Sequence, residues 1–360
     1  MKRLLSLLVS TTALVFILVQ CNGDDPIKDP IDKPVKNVVP AQLTTPFNEA
    51  QYTIGEAVEV AIKINAPEGI SNLELFVDDT LYAGELSIED QNITIITDSL
   101  SKVGWTKILL SYTDADGKRR SDFRKIVYFS NLFPSQKNAT IVNTYTHDKG
   151  SYTQGLEFYE GALYEGTGQY NRSVLSEVEL TTGTQIRKHD LDGSIFGEGI
   201  TILNDTIYQI TYRAQTCYMY DMDFNQIGMF KYDGEGWGLC NDGENLIMSN
   251  GDSEIVWRNP RTFEVVKSIE VFDDDQSVDQ LNELELINGR LFMNIYRANK
   301  IAEVDTATGK VMAYINCQNL ANDANDFGND VLNGIAYNPA TGKIYVTGKL
   351  WPKLYEVKFE

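Results

Sequence analysis

The feature that most constrains this fold is a unit that recurs five times between residues 135 and 360. In each unit, a turn containing Gly, Asn or Asp leads into one strand pattern, and a second strand pattern follows. The turns and first strands read Gly161-Ala-Leu-Tyr, Asn204-Asp-Thr-Ile-Tyr, Gly243-Glu-Asn-Leu-Ile-Met, Gly289-Arg-Leu-Phe-Met and Gly342-Lys-Ile-Tyr-Val. Five units in roughly 225 residues give ~45 residues each, the size of a four-stranded blade. The repeat predicts an all-β, five-bladed β-propeller over 135–360.

Two further patterns support this prediction. The strand pattern at 140–145 precedes the first unit, so we expect it to complete the last blade and close the ring, which removes an exposed sheet edge. No helical periodicity extends beyond a turn in this part of the chain. A β-sandwich over the same residues would have to account for five recurrences of one unit.

Residues 45–132 contain short strands with alternating apolar residues, for example at 57–64 and 105–112. Six or seven such strands in about 85 residues are typical of an immunoglobulin-like β-sandwich. No catalytic constellation is visible there. We therefore expect a spacer or adhesion module.

The start of the chain predicts export. Lys2 and Arg3 precede an apolar run at 4–19, which is too short for a bilayer span of ~20 residues but fits a secretory signal. Residues 18–21 resemble a bacterial lipobox, which predicts a signal peptide at 1–21 and a lipid-anchored Cys21. Plain secretion after another cleavage site is the alternative. The expected location is the bacterial cell envelope, on a lipid-anchored membrane, periplasmic or surface-facing.

Residues 22–44 alternate prolines with charges, which predicts an extended tether between the anchor and the folded part. The alternative is a first strand that begins near Val38.

Composition excludes several classes of function. With 31 basic and 51 acidic residues the formal net charge is −20, so nucleic acid is not an expected partner. Two histidines and four cysteines lack C-x-x-C or H-E-x-x-H spacing, so no metal site built from them is expected. The acidic clusters at 273–275 and 323–330 lack the spacing of a calcium loop and are interpreted as solvated loops.

Three cysteines remain after Cys21, so at least one must stay unpaired within the monomer. Cys217 and Cys240 lie in strand-like settings, which favours a place in the core over a redox role.

Each of the first four units also carries one segment rich in Gly, polar and aromatic residues, and the last unit carries two. In a propeller, equivalent positions converge near the axis at one face, so these segments are expected to line one pocket. Glycines on both sides of Glu198 and Trp237 are expected to leave room for a ligand. The segments begin at Tyr152, Phe196, Glu235, Leu281, Asp330 and Thr347.

In order, YTQGLEF, YEGTGQY, FGEGIT, EGWGLC-NDG, LNELE, DVLNGIAY and VTGKLWP resemble the glutaminyl-peptide cyclotransferases of the plant and bacterial type. The resemblance covers about residues 140–358. It implies a five-bladed propeller that converts the N-terminal glutamine of peptides or proteins to pyroglutamate with loss of ammonia. It also implies that the reaction needs no metal or other cofactor.

The resemblance also implies roles for single residues. Glu198 is expected to be the acid–base residue, and two positions that are tryptophan in the family are here Tyr212 and Tyr296. The implied substrate-binding set is Gln154, Phe196, Tyr212, Trp237, Asn282, Tyr296 and Lys349.

These residue types fit the chemistry. The α-amine must attack its own γ-carboxamide while neutral, so one carboxylate can take the amine proton and return it to departing ammonia. Gln154, Asn282 and Lys349 are expected to hold the carboxamide oxygen, and the aromatic residues to exclude water and bend the substrate.

Plainer interpretations remain open at this stage. Glu198 is then a solvated turn residue, Trp237 a plug of the ring axis, and Lys349 one half of a surface ion pair. Asn282 and Asn333 are then turn or strand-end caps. Two other classes of function also remain: a catalytically drifted propeller lipoprotein that binds peptides or glycans, and an adhesion or scaffold protein built on the sandwich and the anchor.

Overall fold

The computed structural model describes residues 38–98, 101–324 and 331–360. The predicted signal peptide, Cys21 and most of the predicted tether lie outside the described residues, as does most of the acidic stretch at 323–330. The predicted all-β class is confirmed, because strands dominate the described chain and it has one short α-helix. No helix among the described residues is long and apolar enough to cross a membrane.

Eight strands precede the repeats and form two sheets. The strand order is β1-β3-β6 in one sheet and β2-β8-β7-β4-β5 in the other. The first strand begins inside the segment predicted as a tether, close to the alternative start near Val38. The strands are β1 (Ala41–Thr45), β2 (Gln51–Thr53), β3 (Ala57–Ile64), β4 (Ile70–Val77), β5 (Thr80–Ala83), β6 (Gln91–Ile96), β7 (Gly104–Asp114) and β8 (Arg119–Phe129), with a 3₁₀ turn at Pro67–Gly69.

The alternation of apolar and polar residues along the strands explains which side chains form the core of these two sheets. In β3, Val58, Val60 and Ile62 are buried while Glu59 and Lys63 are exposed, as expected when every second side chain points inward. The buried residues join one cluster with Leu75 of β4 and Ile108 of β7.

The next strand is β9 (Ser135–Thr146), and four-stranded antiparallel units follow it. The first three comprise β10 (Thr153–Tyr159), β11 (Ala162–Thr167), β12 (Val174–Val178) and β13 (Gln185–Asp190); β14 (Gly197–Leu203), β15 (Thr206–Thr211), β16 (Thr216–Tyr220) and β17 (Gln226–Lys231); and β18 (Leu239–Asn241), β19 (Leu246–Met248), β20 (Glu254–Arg258) and β21 (Val265–Glu270).

The last two units share one eight-stranded sheet that is joined through β9. Antiparallel pairing of β9 with β28, from Thr146↔Lys353 to Ala139↔Phe359, confirms that the 140–145 strand completes the last unit. The elements are β22 (Leu281–Ile287), β23 (Arg290–Ile295), β24 (Lys300–Asp305), β25 (Val311–Asn316), α1 (Gln318–Ala324), β26 (Leu332–Asn338), β27 (Lys343–Gly348) and β28 (Lys353–Phe359).

Burial differs between the first and fourth strands of a unit. Every residue of β14 is buried, whereas β13 and β17 alternate between exposed and half-buried residues. The first strands β10, β14, β18, β22 and β26 contact one another in a closed ring. The predicted turn between first and second strands is present: Gly161 and Asn204 there have positive φ, which Gly and Asn tolerate best.

The N-terminal sheets pack directly on the third and fourth units. Phe272, just beyond β21, lies in the N-terminal hydrophobic cluster, and its ring centroid is 5.8 Å from that of Phe129. The backbone N–H of Trp105 donates to a carboxylate oxygen of Glu270 at 2.6 Å, and that of Val103 donates to the Thr308 carbonyl at 2.9 Å.

Three sequence-based expectations need comment. The helix α1 contradicts the absence of helical periodicity: its Leu320, Ala321 and Ala324 pack into a buried cluster. Asp273 is not a solvated loop residue, because it is buried and accepts a hydrogen bond from the Tyr314 hydroxyl at 2.7 Å. All three described cysteines are free and buried, at positions 217, 240 and 317, so the prediction of an unpaired cysteine is confirmed.

Candidate active site

The ring of first strands turns one side chain per unit toward a common centre. The pairing register between the first and second strands skips at this point in four of the units, between Thr153 and Gly155 for example. Such bulges bend a strand and redirect a side chain. The equivalent residues are Gln154, Glu198, Trp237, Asn282 and Asn333.

The glycines beside these residues have a different purpose from the one expected. A Cβ on Gly199 would overlap the backbone nitrogen of Leu239, and one on Gly238 would overlap the carbonyl oxygen of Asn282. These glycines therefore let neighbouring first strands approach each other closely and do not make room for a ligand.

The fourth unit has Glu283 where the other units have this glycine. Its carboxylate accepts the backbone N–H of Ile335 at 2.7 Å, that of Leu156 at 3.3 Å and the side-chain amide of Asn294 at 3.0 Å. Glu283 thus ties three units together at the centre of the ring.

The converging side chains enclose a cavity of about 190 Å³. All eight predicted site residues line it, although they come from all five units. Tyr152, quoted within a motif but not assigned a role, lines it as well; its spacing of two residues from Gln154 along a strand was the signal for it. The lining residues are Tyr152, Gln154, Phe196, Glu198, Tyr212, Trp237, Asn282, Tyr296 and Lys349.

Burial contradicts the plainer interpretations of the polar residues. Glu198 is only 4% exposed and Lys349 only 3%, so neither is a solvated turn residue or part of a surface ion pair. Asn282 is buried within β22 and its Oδ1 has no hydrogen-bond partner among the described residues. A buried, unsatisfied amide oxygen beside a cavity is suited to a polar ligand.

Aromatic rings form two sides of the cavity. On one side, Phe196 lies with its ring centroid 5.8 Å from that of Tyr212, 6.1 Å from that of Tyr152 and 5.4 Å from that of Tyr170. On the other, Trp237 meets Tyr296 edge to face, with centroids 5.7 Å apart. Such packing holds each ring in a defined orientation.

Lys349 connects these aromatic sides. Its Nζ lies 4.8 Å from the ring centroid of Tyr152 and 5.0 Å from that of Tyr296, distances typical of cation–π contacts. The loop after β27 carries Lys349 and is held by two backbone hydrogen bonds. The Lys349 N–H donates to the Val331 carbonyl, and the Leu350 N–H donates to the Ser151 carbonyl.

Hydrogen bonds fix the orientation of Gln154. Asn333 Nδ2 donates to the Thr153 carbonyl at 2.9 Å, and a carbonyl can only accept, so this atom is a nitrogen. The same nitrogen lies 3.1 Å from the Gln154 amide, whose near atom must then be Oε1. The Nε2 group of Gln154 therefore remains a donor for a ligand.

Among the residues that the structure describes, Glu198 is the one acidic residue that lines the cavity. Burial raises the pKa of its carboxyl well above the usual range; the positive charge of Lys349 opposes this shift and Glu235 adds to it. Glu235 itself pairs with Arg213 at 3.1 Å and accepts the indole N–H of Trp237 at 3.2 Å. A buried carboxyl with a raised pKa is suited to proton transfer near neutral pH.

A bound metal ion needs several side chains that together hold it. Within residues 38–98, 101–324 and 331–360, no set of three or more His, Cys, Asp or Glu side chains is placed to hold a metal ion.

Comparison with known proteins identifies the family. The sequence profile of the family described as glutamine cyclotransferase matches residues 121–359. The chain belongs to the glutamine cyclotransferase family. The resemblance noted in the sequence is thereby confirmed, and so is its implied class of activity.

Two relatives illustrate the match. A glutaminyl-peptide cyclotransferase from Arabidopsis thaliana is 35% identical over 227 residues, which are 61% of this chain and 71% of the relative. The crystal structure of Myxococcus xanthus glutaminyl cyclase is 34% identical, with a TM-score of 0.60, and covers 63% of this chain and 98% of that one. The two N-terminal sheets lie largely ahead of the family match.

Proposed function

We propose that this protein converts the N-terminal glutamine of peptides or proteins to pyroglutamate with release of ammonia, and that Glu198 carries the protons. The observation that carries the proposal is the buried Glu198 carboxyl beside Lys349, in a cavity lined by aromatic rings. The volume of about 190 Å³ is below the ~300–1,000 Å³ of sites for drug-sized ligands, which fits a single amino-acid side chain.

Proton transfer begins the reaction. The α-ammonium group of a peptide has a pKa of about 8. Burial raises the pKa of Glu198 well above its ordinary value, so its carboxylate is a stronger base toward the ammonium proton than an exposed carboxylate. The amine is then neutral and has a lone pair for attack.

Ring closure and ammonia loss follow. The amine nitrogen forms a bond to the γ-carboxamide carbon, and the electron pair of the C=O double bond moves to oxygen. Glu198 gives its proton to the carboxamide nitrogen and takes one from the ring nitrogen. The carbon–nitrogen bond then breaks, the C=O double bond re-forms, and ammonia leaves. The proton that Glu198 holds passes to the departing ammonia, which restores the carboxylate.

The other polar residues stabilise the negative oxygen. Gln154 offers its Nε2 group because Asn333 occupies its oxygen, and Lys349 supplies a positive charge. Groups fixed in place before the reaction stabilise developing charge without reorganising. The Oδ1 of Asn282 accepts an N–H of the substrate, which satisfies a buried atom that otherwise has no partner.

The aromatic residues shape the substrate. Phe196 and Tyr212 on one side and Trp237 and Tyr296 on the other confine the glutaminyl side chain to a folded conformer, which brings the amine near the carboxamide. Tyr212 also accepts a hydrogen bond from Arg213, so the substitution of tyrosine for tryptophan places a polar group at this edge of the pocket.

We also propose the finer architecture and the location. The closed ring of first strands and the pairing of β9 with β28 support a five-bladed propeller. The two N-terminal sheets support an immunoglobulin-like domain. The apolar run before Cys21 supports a lipid-anchored protein of the bacterial cell envelope.

The test is ammonia release from a glutaminyl dipeptide in the presence of a chelator. We expect metal-independent release by the wild type and a loss of roughly 10²–10⁴-fold in kcat for Glu198→Gln. Glu157→Gln is the matched control, because Glu157 is also buried on a first strand but does not line the cavity.

Two results would change the proposal. Activity that survives in Glu198→Gln would keep the enzyme and reject this mechanism. A folded wild type without release across several dipeptides would favour the catalytically drifted propeller that binds peptides or glycans.

A further inference from the structure

A buried ion pair lies next to the pocket, and the mechanism above does not use it. His147 follows β9, where the last unit meets the first, and Glu165 lies on β11. Their side chains are 3% and 1% exposed, and Nε2 of His147 is 3.0 Å from Oε1 of Glu165. The other ring nitrogen, Nδ1, is 2.7 Å from the carbonyl oxygen of Trp351.

These contacts favour the doubly protonated form of His147. The Trp351 carbonyl can only accept, so Nδ1 carries a hydrogen. Glu165 accepts hydrogen bonds from Thr153 at 2.7 Å and Ser151 at 3.1 Å, which stabilise its ionised form; an ionised carboxylate can only accept, so Nε2 donates to it. Both nitrogens then carry hydrogen, and the ring is an imidazolium.

The pKa directions agree with this geometry. Burial alone would lower the pKa of His147, but the charge and hydrogen bond of Glu165 raise it above its usual value. Burial alone would raise the pKa of Glu165, but His147 and the two hydroxyl groups hold it below its usual value.

Few other charges act on the ring. Asp148 on the same segment also favours the imidazolium, and Lys149 lines the shallow cavity beside His147. The turn at 181–184, which packs against His147, contributes no titratable side chain. Lys349, on the loop that supplies the Trp351 carbonyl, lines the pocket instead.

The partners of the pair belong to two pocket segments. Ser151 and Thr153 flank Tyr152, and Gln154 comes next in the chain. Trp351 belongs to the loop that carries Lys349. The pair therefore ties together, through hydrogen bonds, the backbone that presents three pocket side chains from the first and last units.

We propose that the buried His147–Glu165 ion pair is a positioning element of the active site, which holds Tyr152, Gln154 and Lys349 in place only while His147 is an imidazolium. This inference rests on the proposed function for its kinetic consequence. If His147 lost either hydrogen, one of its two acceptors would face a lone pair, and that pocket segment would be released.

The first test removes one hydroxyl group and keeps the shape. Thr153→Val loses the hydrogen bond to Glu165, and we expect kcat/KM for a glutaminyl dipeptide to fall by roughly 10- to 100-fold, since small displacements of positioned groups are costly. Thr153→Ser keeps the hydroxyl and is expected to recover kcat/KM to within about 3-fold.

Thr308→Val is the matched control. Thr308 is also buried and donates to a carboxylate, Asp305, at 2.8 Å, but it does not line the cavity. We expect its kcat/KM to equal that of the wild type. Equal losses in Thr153→Val and Thr308→Val, or no recovery in Thr153→Ser, would overturn the positioning role.

The second test observes the imidazolium directly. The chain has two histidines, so ¹⁵N labelling of histidine gives two ring systems, with half-buried His189 as the internal reference. We expect His147 to keep two ring N–H groups through the pH range near 6.5 in which an unperturbed histidine titrates.

The outcomes separate the two proposals. A single N–H on His147 at neutral pH in an active wild type would overturn the ion pair and leave the proposed function in place. A wild type that releases no ammonia would overturn the proposed function and the positioning role together, whatever the histidine spectrum shows.

Discussion

Gly251 faces the indole ring of Trp237, and a Cβ at this position would lie 2.6 Å from its Cζ2 atom. Gly251 also has a φ of +93°, in the region that favours glycine. The glycine follows β19 and contributes no side chain, yet it determines how far Trp237 can retreat from the pocket.

We therefore expect Gly251→Ala to push the indole toward the cavity. The displaced ring narrows the space for the glutaminyl side chain, so KM for a glutaminyl dipeptide should rise by roughly 10-fold or more while the fold persists. Steady-state kinetics and tryptophan fluorescence measure the two effects.

Gly243→Ala provides the control for Gly251→Ala. Gly243 has a similar φ of +85°, but a Cβ there would have no atom within 4 Å. Both variants carry the backbone strain of about 1–2 kcal/mol, and only Gly251→Ala adds the clash. Equal kinetics in the two variants would show that Trp237 is not held by Gly251.

Lys349 sets the pH range of the reaction as well as holding the substrate. Its charge opposes the rise in the pKa of Glu198 that burial causes. In Lys349→Met this opposition is lost, so the pKa of Glu198 rises further and its ionised form, which accepts the amine proton, requires a higher pH. We expect the acidic limb of the kcat profile to move to higher pH, and kcat to fall by roughly 10²–10³-fold.

Lys343→Met separates this effect from a general loss of positive charge. Lys343 starts the same strand, β27, but pairs with Glu356 at 3.1 Å outside the cavity. Its kcat and pH profile should match those of the wild type. A Lys349→Met profile with an unmoved acidic limb would mean that Lys349 does not act on Glu198.

The repeats made much of the site predictable. A recurring turn and strand pattern places equivalent residues of each unit at equivalent positions, so the sequence predicts that Gln154, Glu198, Trp237 and Asn282 converge.

Other features depend on contacts that local patterns do not encode. The meeting of His147 with Glu165 arises because β9 closes the ring and brings the last unit beside the first. The burial of Asp273 depends on Tyr314 from a strand in the next unit. Gly199 and Gly238 do not leave room for a ligand as the sequence suggests, because they face the backbone of the neighbouring first strand.

Buried carboxyl groups in the ring should make the protein less stable at alkaline pH. Burial raises the pKa of Glu157 to about 8, from 4.5, although hydrogen bonds from Thr201 and the Ile202 N–H oppose the shift. The folded state then holds a proton that the unfolded state has lost between these two pH values. The free energy of unfolding therefore falls as pH rises, by up to about 1.4 kcal/mol per pH unit for this group.

Glu157→Gln removes the proton uptake but keeps an uncharged side chain of the same shape. We expect little change in the free energy of unfolding near pH 5 and a gain of a few kcal/mol, roughly, near pH 8, measured by urea titration at both values. Glu179→Gln is the opposite control, because hydrogen bonds from Thr181 and Thr182 lower the pKa of Glu179 to about 2. The effect of Glu179→Gln on the free energy of unfolding should be the same at pH 5 and pH 8. The stability that comes from a lowered pKa is lost only as pH falls below about 4.5. If the free energy of unfolding of Glu157→Gln falls with pH as steeply as that of the wild type, the Glu157 carboxyl is ionised in the folded protein.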